Sequence, residues 1–237
     1  IIGDHGSSWV RPPYVVTPED GLKKANAECE VIFDDGSDLE RAKKLAAESD
    51  AVVFVVGYNY DDEGEFISGD QASNYTGAMG GDRKRSLGLH EDEIKLLQEV
   101  GPVNEKSAAV LVGGNMIMMT EWYDKVNAVI MAYYPGMEGG TALAEIIYGD
   151  VNPSGKLPYV VPYSEDDLPH VDWEATDQYY EYYHGYTRLE KNGVKPLVPY
   201  GFGLSYTTFD ITDPKAVVDG DELKVTVNVK NTGAIDG

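Results

Sequence analysis

The distribution of apolar residues along the chain predicts a set of buried strands. Short apolar runs lie at 31–33, 51–56, 108–112 and 128–133. The last three are nearly continuous and lack the apolar–polar alternation of a strand with one solvated face. Continuous runs of this length are typical of parallel strands that are buried on both faces.

Amphipathic segments between these runs predict helices at 17–27, 38–49, 90–101 and 139–150. The first opens with Thr17 as an N-cap, followed by Pro18 and Asp20, which is a typical helix start. Strands that alternate with helices predict an α/β fold with a mostly parallel sheet between helices. In such sheets, ligands bind outside the carboxyl ends of the strands.

The pattern changes after Asp150. The segment 152–170 is rich in proline and turn residues and predicts a connecting arm across the surface. An aromatic, β-prone stretch follows, and Lys191, Asn192 and Gly193 predict a hairpin turn within it. From Phe209 onward, alternating residues predict the start of an antiparallel, sandwich-like module with too few strands to stand alone.

The charge of the chain limits the partners it can have. Forty-one acidic residues stand against 19 basic ones, giving a formal net charge of −22. Nucleic acids and anionic membrane surfaces are bound through clustered lysine and arginine, so we expect neither as a partner. No apolar run approaches the length of a membrane span. The excess of acidic residues favours a neutral or cationic ligand.

The cysteine, histidine and glycine residues of the chain give little support for a metal site or a cofactor site. Cys29 is the only cysteine, which excludes an intrachain disulfide and a thiolate metal site. The four histidines are scattered, and no pair has ligand spacing, which argues against zinc. The glycines do not form the G-x-G-x-x-G fingerprint of dinucleotide sites, so a nucleotide-binding function is a distant alternative. We expect no metal or organic cofactor.

A cluster of carboxylates follows the first long apolar run. Asp61, Asp62, Glu63 and Glu65 come shortly after Gly57, where the run ends. Two interpretations are open at this point. Water solvates such a cluster readily at a loop tip, in which case it has no chemical role. Alternatively, one of the four is an acid catalyst held at the carboxyl end of a buried strand.

Longer motifs resemble a known family. The segments GGDRKRSLGLHEDEIKLLQEV, YYPGMEGGTALAEIIYGDVNPSGKLPYVVP, DLP and PYGFGLSYTTF are similar to the C-terminal half of glycoside hydrolase family 3, the β-glucosidase-like enzymes. The combination of GDVNPSGKLP with a later GFGLSYT is specific. The resemblance covers nearly the whole chain.

This resemblance implies a three-part enzyme. A TIM-type barrel would carry the nucleophilic aspartate, a six-stranded α/β sandwich would complete the active site, and a fibronectin type III-like domain would follow. We assign 1–160 to the α/β sandwich, 161–205 to the connecting arm and aromatic hairpin, and 206–237 to the start of the third domain. The chain begins and stops abruptly, so we expect it to be a segment of a longer polypeptide.

The resemblance also implies site residues. The family's acid/base is a glutamate that follows a strand ending like VVG, precedes a glycine and stands ahead of an Asp-Arg pair. That pattern places the acid/base at Glu63, with Glu65 as the second choice, and the pair at Asp82 and Arg83. The long segment FISGDQASNYTGAMGG between glutamate and pair departs from the family. We expect Asp82 and Arg83 to position the loop or contact substrate. No residue matches the nucleophile's motif.

Other polar and aromatic residues have structural interpretations. Glu138 precedes a predicted helix, where a carboxylate favours the helix N-terminus. The tyrosines within 179–186 are expected to pack the predicted hairpin against the sandwich rather than to stack on sugar rings.

The implied function is that of a retaining exo-acting β-glycosidase, specifically a β-glucosidase that removes terminal non-reducing β-D-glucosyl residues by double displacement. Its partners would be a β-glucoside or short β-linked oligosaccharide and the barrel of the same polypeptide, with a homodimer left open. The segment alone is expected to be inactive. The alternative is a non-catalytic carbohydrate-binding or degenerate family member. The sugar, the linkage and the compartment are left open.

Overall fold

The computed structural model describes residues 10–67, 79–81, 86–172 and 175–237. Within these ranges, α-helices form at Pro18–Ala25 (α1), Leu39–Glu48 (α2), Glu91–Val100 (α3), Gly139–Tyr148 (α4) and Gly185–Asn192 (α5). β-strands form at Val52–Gly57 (β1), Gly64–Ile67 (β2), Met79–Gly81 (β3), Ser107–Val112 (β4), Ala128–Met131 (β5), Phe209–Asp219 (β6) and Glu222–Asn231 (β7). No helix in the described ranges is long and apolar enough to cross a bilayer.

The central sheet contains three parallel strands in the order β1-β4-β5. Val52 pairs with Ser107, and Ala108 pairs with Ala128, so the three strands run in register to a shared carboxyl edge. The middle strand is buried except at Ala108, which is partly buried; Ala109, Val110 and Leu111 are each at most 2% exposed. Successive side chains of a strand point to opposite faces, so β4 is covered on both faces. The continuous apolar run predicted this burial.

Helices α2 and α3 share the main core with β1 and β4. Ala42 and Ala46 of α2 and Leu97 of α3 belong to one buried cluster with Phe54 and Leu111. Leu143 and Ala144 of α4 are also buried, but outside that cluster. The α/β fold class is therefore confirmed.

Helices α1 and α4 pack together through glycine. A Cβ added at Gly21 would overlap the backbone of Gly140, and one added at Gly140 would overlap the backbone of Thr17. The Gly140 amide donates to the carbonyl of Val16 at 3.1 Å. This contact ties the N-terminal segment to the start of α4, next to the loop that leaves β5.

The four helices predicted from amphipathicity are confirmed, and their ends follow from their capping residues. Thr17 caps α1 in a reciprocal capping box with Asp20. Gly149 ends α4 in the left-handed conformation at φ 83°. Gly101 is the C-cap of α3, but it stays in the right-handed helical region at φ −51°, and a 3₁₀ turn, Gly101–Val103, follows directly.

The predicted strand at 31–33 is wrong, and the six strands expected for the sheet are not shown. Ile32 and Phe33 have no strand partner in the described part of the chain and are 56% and 67% exposed. A run of three apolar residues is too short to ensure pairing with the sheet. Strands β2 and β3 pair with each other instead of joining β1.

The predicted hairpin at 191–193 is also wrong. Residues 185–192 form α5, and Gly193 is its C-cap at φ 69°. A left-handed glycine closes a helix as readily as it turns a hairpin, so the Lys-Asn-Gly signal does not separate the two. Tyr179 and Tyr182 are each 85% exposed, so they do not pack a hairpin against the sandwich.

The last two strands form the antiparallel pair that was predicted from alternation. Strands β6 and β7 join through a tight turn in which Gly220 has φ 63°. Leu223, Val225 and Val229 of β7 are each more than 60% exposed, so this sheet lacks a packed apolar face within the described residues. The boundaries of the domains stay predictions.

Gly57 terminates β1 in a backbone conformation that positions the following loop. Its φ is 138°, a region that L side chains rarely adopt, and an added Cβ would overlap the carbonyl oxygen of Val112. Directly after it, the Tyr58 amide donates to the same carbonyl at 2.8 Å. The close approach of the two strand ends therefore requires glycine at this position.

We expect Gly57→Ala to lower the free energy of unfolding by about 2 kcal/mol or more, because backbone strain of this kind alone costs about 1–3 kcal/mol. Urea unfolding of the purified protein measures the loss. The matched control is Gly155→Ala, since a Cβ at Gly155 meets no heavy atom within 4 Å. Equal unfolding midpoints for the two variants would contradict the role given to Gly57.

Candidate active site

The candidate site lies at the carboxyl edge of the central sheet, where three strands end side by side. The loop 58–63 leaves β1, Gly113 and Gly114 leave β4, and Tyr133 and Tyr134 follow β5. The Gly113 amide donates to the carbonyl of Tyr133 at 3.3 Å, so the parallel pairing continues one step past the strands. Ligand sites of open parallel sheets are found at this edge.

The loop after β1 is closed by its own backbone and side chains. The carbonyl of Asn59 accepts hydrogen bonds from the amides of Asp62 and Glu63, both at 3.1 Å. The Asp62 carboxylate in turn accepts from the Asn59 amide at 3.0 Å, and the Asn59 side chain accepts from the amide of Asp61 at 2.7 Å. These contacts fix the backbone of the turn that carries Asp62 and Glu63, whose side chains have different partners.

Glu63 is held by groups from the other two strand ends. Its Oε1 accepts a hydrogen bond from the hydroxyl of Tyr134 at 2.7 Å and another from the backbone amide of Gly114. The side chain is half-buried. Glu63 is therefore fixed at the sheet edge, and the interpretation of a freely solvated loop carboxylate does not fit it.

Glycine at position 114 makes this contact feasible. A Cβ there would lie 3.1 Å from Oε1 of Glu63 and 3.2 Å from Cε2 of Tyr134. Such distances are tighter than nearly all real Cβ contacts, so a side chain would push the carboxylate or the ring away.

The backbone of Tyr133, just before Tyr134, is unusual. Tyr133 has φ 53°, which is rare for a non-glycine residue, and such backbone conformations are often found at functional sites.

Asp62 is held by a histidine that bridges two carboxylates. His90 Nε2 lies 2.7 Å from Oδ1 of Asp62, and Nδ1 lies 3.1 Å from Oε2 of Glu93. The other oxygen of Glu93 accepts from the Gly57 amide at 2.8 Å. The ring of Tyr58 meets that of His90 edge-on, with centroids 5.9 Å apart. His90 thus connects the start of α3 to both ends of the loop.

The charge state of His90 follows from these contacts. Burial lowers the pKa of His90, but the hydrogen bond and the charge of Asp62, together with Glu93, outweigh burial and raise the pKa above 6.5. Only the protonated ring has two N–H donors, so only this form can donate to both carboxylates at once.

Glu138 lies at the N-cap of α4, as predicted, but its carboxylate does not cap the backbone. It accepts from the hydroxyl of Tyr14 at 2.6 Å and from that of Thr141 at 2.7 Å. The hydrogen bonds from Tyr14 and Thr141 lower the pKa of Glu138. These contacts give Glu138 a structural role at the start of the helix.

The structure places some predicted site residues and not others. Glu65 lies in β2, two residues beyond Glu63. Asp82 and Arg83 lie outside the described residues. In the part of the chain that is described, no cluster of three His, Cys, Asp or Glu residues could hold a metal ion.

Sequence reasoning missed Gly114, Tyr134 and His90 as neighbours of the acidic loop. The segments GGN and YPGMEGG were recognisable as strand-end loops, which was a usable signal for the first two residues. His90 had no such signal, because it lies at the start of a helix far along the chain from Asp62.

Comparison with known proteins gives one family. Residues 1–206 match the model of the glycosyl hydrolase family 3 C-terminal domain. Thermostable beta-glucosidase B of Acetivibrio thermocellus is 32% identical over 98% of this chain and 31% of that protein. Beta-xylosidase of Formosa agariphila is 32% identical over 95% of this chain and 31% of that protein. The chain thus spans less than a third of the length of these relatives.

Solved structures show the same similarity. The crystal structure of a GH3 beta-glucosidase from Bifidobacterium adolescentis superposes with a TM-score of 0.78 at 25% identity, over 96% of this chain and 34% of that one. The structural match therefore extends beyond Tyr206, where the match to the family model ends.

We expect the stability supplied by His90 to depend on pH. Because the folded pKa is raised, this contribution is fully present below about pH 6.5 and is lost as pH rises through the folded pKa. His90→Gln should therefore lower the melting temperature more at about pH 5.5 than at about pH 8.5. Thermal unfolding of both proteins at the two pH values measures the difference. A gap that is constant with pH would contradict the bridge.

Proposed function

The chain belongs to glycoside hydrolase family 3, and on that premise we propose that it supplies the acid/base of a retaining exo-acting β-glycosidase, with Glu63 in that role. The observation that carries the proposal is the placement of Glu63. Its carboxyl group lies at the carboxyl edge of a parallel sheet and is held there by the Tyr134 hydroxyl and the Gly114 amide. A catalytic acid needs this kind of fixed position.

The reaction proceeds in two displacements. In the first, Glu63 gives its proton to the glycosidic oxygen as the bond from that oxygen to the anomeric carbon breaks. The electron pair of the broken bond stays on the leaving oxygen, and a carboxylate nucleophile bonds the anomeric carbon. In the second, Glu63 takes a proton from water, the hydroxyl bonds the anomeric carbon, and the nucleophile leaves with its electron pair.

The nucleophile lies outside this chain in the proposal. A retaining enzyme needs its two carboxyl groups about 5–5.5 Å apart. We assign the second carboxyl group to a barrel domain of the same polypeptide, which packs against the sheet edge that holds Glu63. Asp82 and Arg83 belong to the same proposal, as residues that position the loop or contact substrate. Residues 206–237 would begin the fibronectin type III-like domain.

The substrate follows from the relatives and from the charge of the chain. The relatives include proteins named as beta-glucosidases and one named as a beta-xylosidase. We propose a β-glucoside or short β-linked oligosaccharide, cleaved at its terminal non-reducing β-D-glucosyl residue. A neutral sugar suits a chain with a formal net charge of −22, which would repel an anionic substrate.

We expect Glu63→Ala in the full-length enzyme to reduce turnover of cellobiose by roughly 100- to 10,000-fold, the usual contribution of general acid catalysis. An activated aryl β-glucoside should lose far less in the first step, because its leaving group departs without a proton. Azide should then restore turnover of the aryl substrate and give a β-glucosyl azide, since azide attacks without a general base. Steady-state rates with both substrates, with and without azide, measure these effects.

The matched control is Glu65→Ala, which removes a carboxylate two residues away. It should leave the ratio of cellobiose to aryl-glucoside turnover close to that of the parent enzyme. If Glu65→Ala instead gives the azide-rescued pattern, the acid/base is Glu65. The non-catalytic alternative replaces the proposal if neither variant gives the azide-rescued pattern and the full-length parent protein binds sugar in calorimetry without hydrolysing it.

The 237-residue chain on its own should be inactive, because it lacks the proposed nucleophile. Incubation of the purified chain with a nitrophenyl β-glucoside should release no nitrophenol above the background of buffer. Release of nitrophenol well above that background would show that both carboxyl groups lie in this chain, and it would overturn the division between domains.

A further inference from the structure

One oxygen of the Glu63 carboxyl group is held by donors from two strand ends. Oε1 accepts one hydrogen bond from the Tyr134 hydroxyl and one from the Gly114 amide. A carboxyl oxygen has two lone pairs in its plane, and two donors occupy both. A proton on the carboxyl group must therefore be on the other oxygen, Oε2.

We propose that Tyr134 is a positioning residue that, with the Gly114 amide, holds Oε1 so that Oε2 carries the catalytic proton. This inference rests on the proposed function of Glu63. It assigns a separate role to each oxygen: Oε1 is the anchored oxygen, and Oε2 is the oxygen that exchanges the proton with the glycosidic oxygen and later with water.

The hydrogen bonds to Oε1 should raise the rate of the first displacement as well as hold the carboxyl group in position. When Oε2 gives up its proton in the first displacement, negative charge develops over the whole carboxyl group, including Oε1. Donors that already point at Oε1 stabilise this charge without rearranging during the reaction. A hydrogen bond to a charged group is stronger than one to a neutral group, so the Tyr134 contact strengthens as the transition state forms.

Several features fix Tyr134 in place for this role. It follows Tyr133, whose left-handed backbone at φ 53° redirects the chain just beyond β5. Its ring lies beside Gly114, where a Cβ would be 3.2 Å from Cε2. The next residue is Pro135, which limits the backbone freedom of the segment. Tyr134 is 41% exposed, so a sugar contact is the competing role that the experiment must separate.

The test uses Tyr134→Phe in the full-length enzyme, which removes the hydroxyl and keeps the ring. We expect kcat/KM for cellobiose to fall about tenfold, and that for an activated aryl β-glucoside to fall much less, because one charge-assisted hydrogen bond is worth about that factor.

The matched control is Tyr206→Phe, which also removes a 2.7 Å hydroxyl hydrogen bond, but one to the carbonyl of Ile146 in α4. It should leave the ratio of kcat/KM for the two substrates unchanged. Thermal unfolding of both variants checks that neither has lost its fold. A purely structural role for Tyr134 would make the two variants alike.

A double variant separates this inference from the proposed function. If Tyr134 acts through Glu63, Tyr134→Phe should change the turnover of either substrate less than twofold when Glu63 is already alanine, by the logic of a double-mutant cycle. An equal loss in both backgrounds would make Tyr134 a sugar contact and overturn the inference while the proposed function stands. If Glu63→Ala itself lacks the azide-rescued pattern, the proposed function fails first.

Discussion

The parallel pairing of β1, β4 and β5 is the constraint on which the candidate site depends. Parallel strands in register end at the same edge, so three loops distant in sequence become neighbours. The fit at this edge is close enough that Gly57 can carry no side chain against Val112. Because the Tyr58 amide then pairs with the same carbonyl, the loop of Glu63 starts from a fixed point on the sheet.

Two consecutive carboxylates are held by partners on different elements, and this restrains a short loop. Asp62 is held by His90 at the start of α3, whereas Glu63 is held by the residues after β4 and β5. Neither carboxylate can swing without breaking contacts to a different element. In a chain with a formal net charge of −22, a histidine with a raised pKa between Asp62 and Glu93 also offsets local repulsion among the acidic side chains.

The sequence predicted those features that depend on local pattern. The three parallel strands and four helices follow from runs of apolar residues and from caps such as Thr17. Burial on both faces was predicted for all three strands but holds only for β4, since Val55 of β1 is 45% exposed and Ala128 of β5 is exposed. Glu63 was chosen as the candidate acid/base through a family resemblance, because local pattern does not distinguish it from the three other nearby carboxylates. The errors arose where one local signal serves two structures: Gly193 ends a helix rather than turning a hairpin. The contact of His90 with Asp62 could not be predicted, because it depends on tertiary packing.

The proposed division of the two catalytic carboxyl groups between domains places a strict demand on this domain. Groups that must lie about 5–5.5 Å apart tolerate little displacement, and an error of about 1 Å in a supporting shell can disable a site. A glutamate on a surface loop would not meet that demand alone. Donors from the ends of two other strands hold Glu63 against the sheet. Its position relative to a second domain would therefore be set by the packing of the whole fold rather than by the loop alone. The hydrogen bonds at Oε1 are thus the link between the buried core and the proposed chemistry.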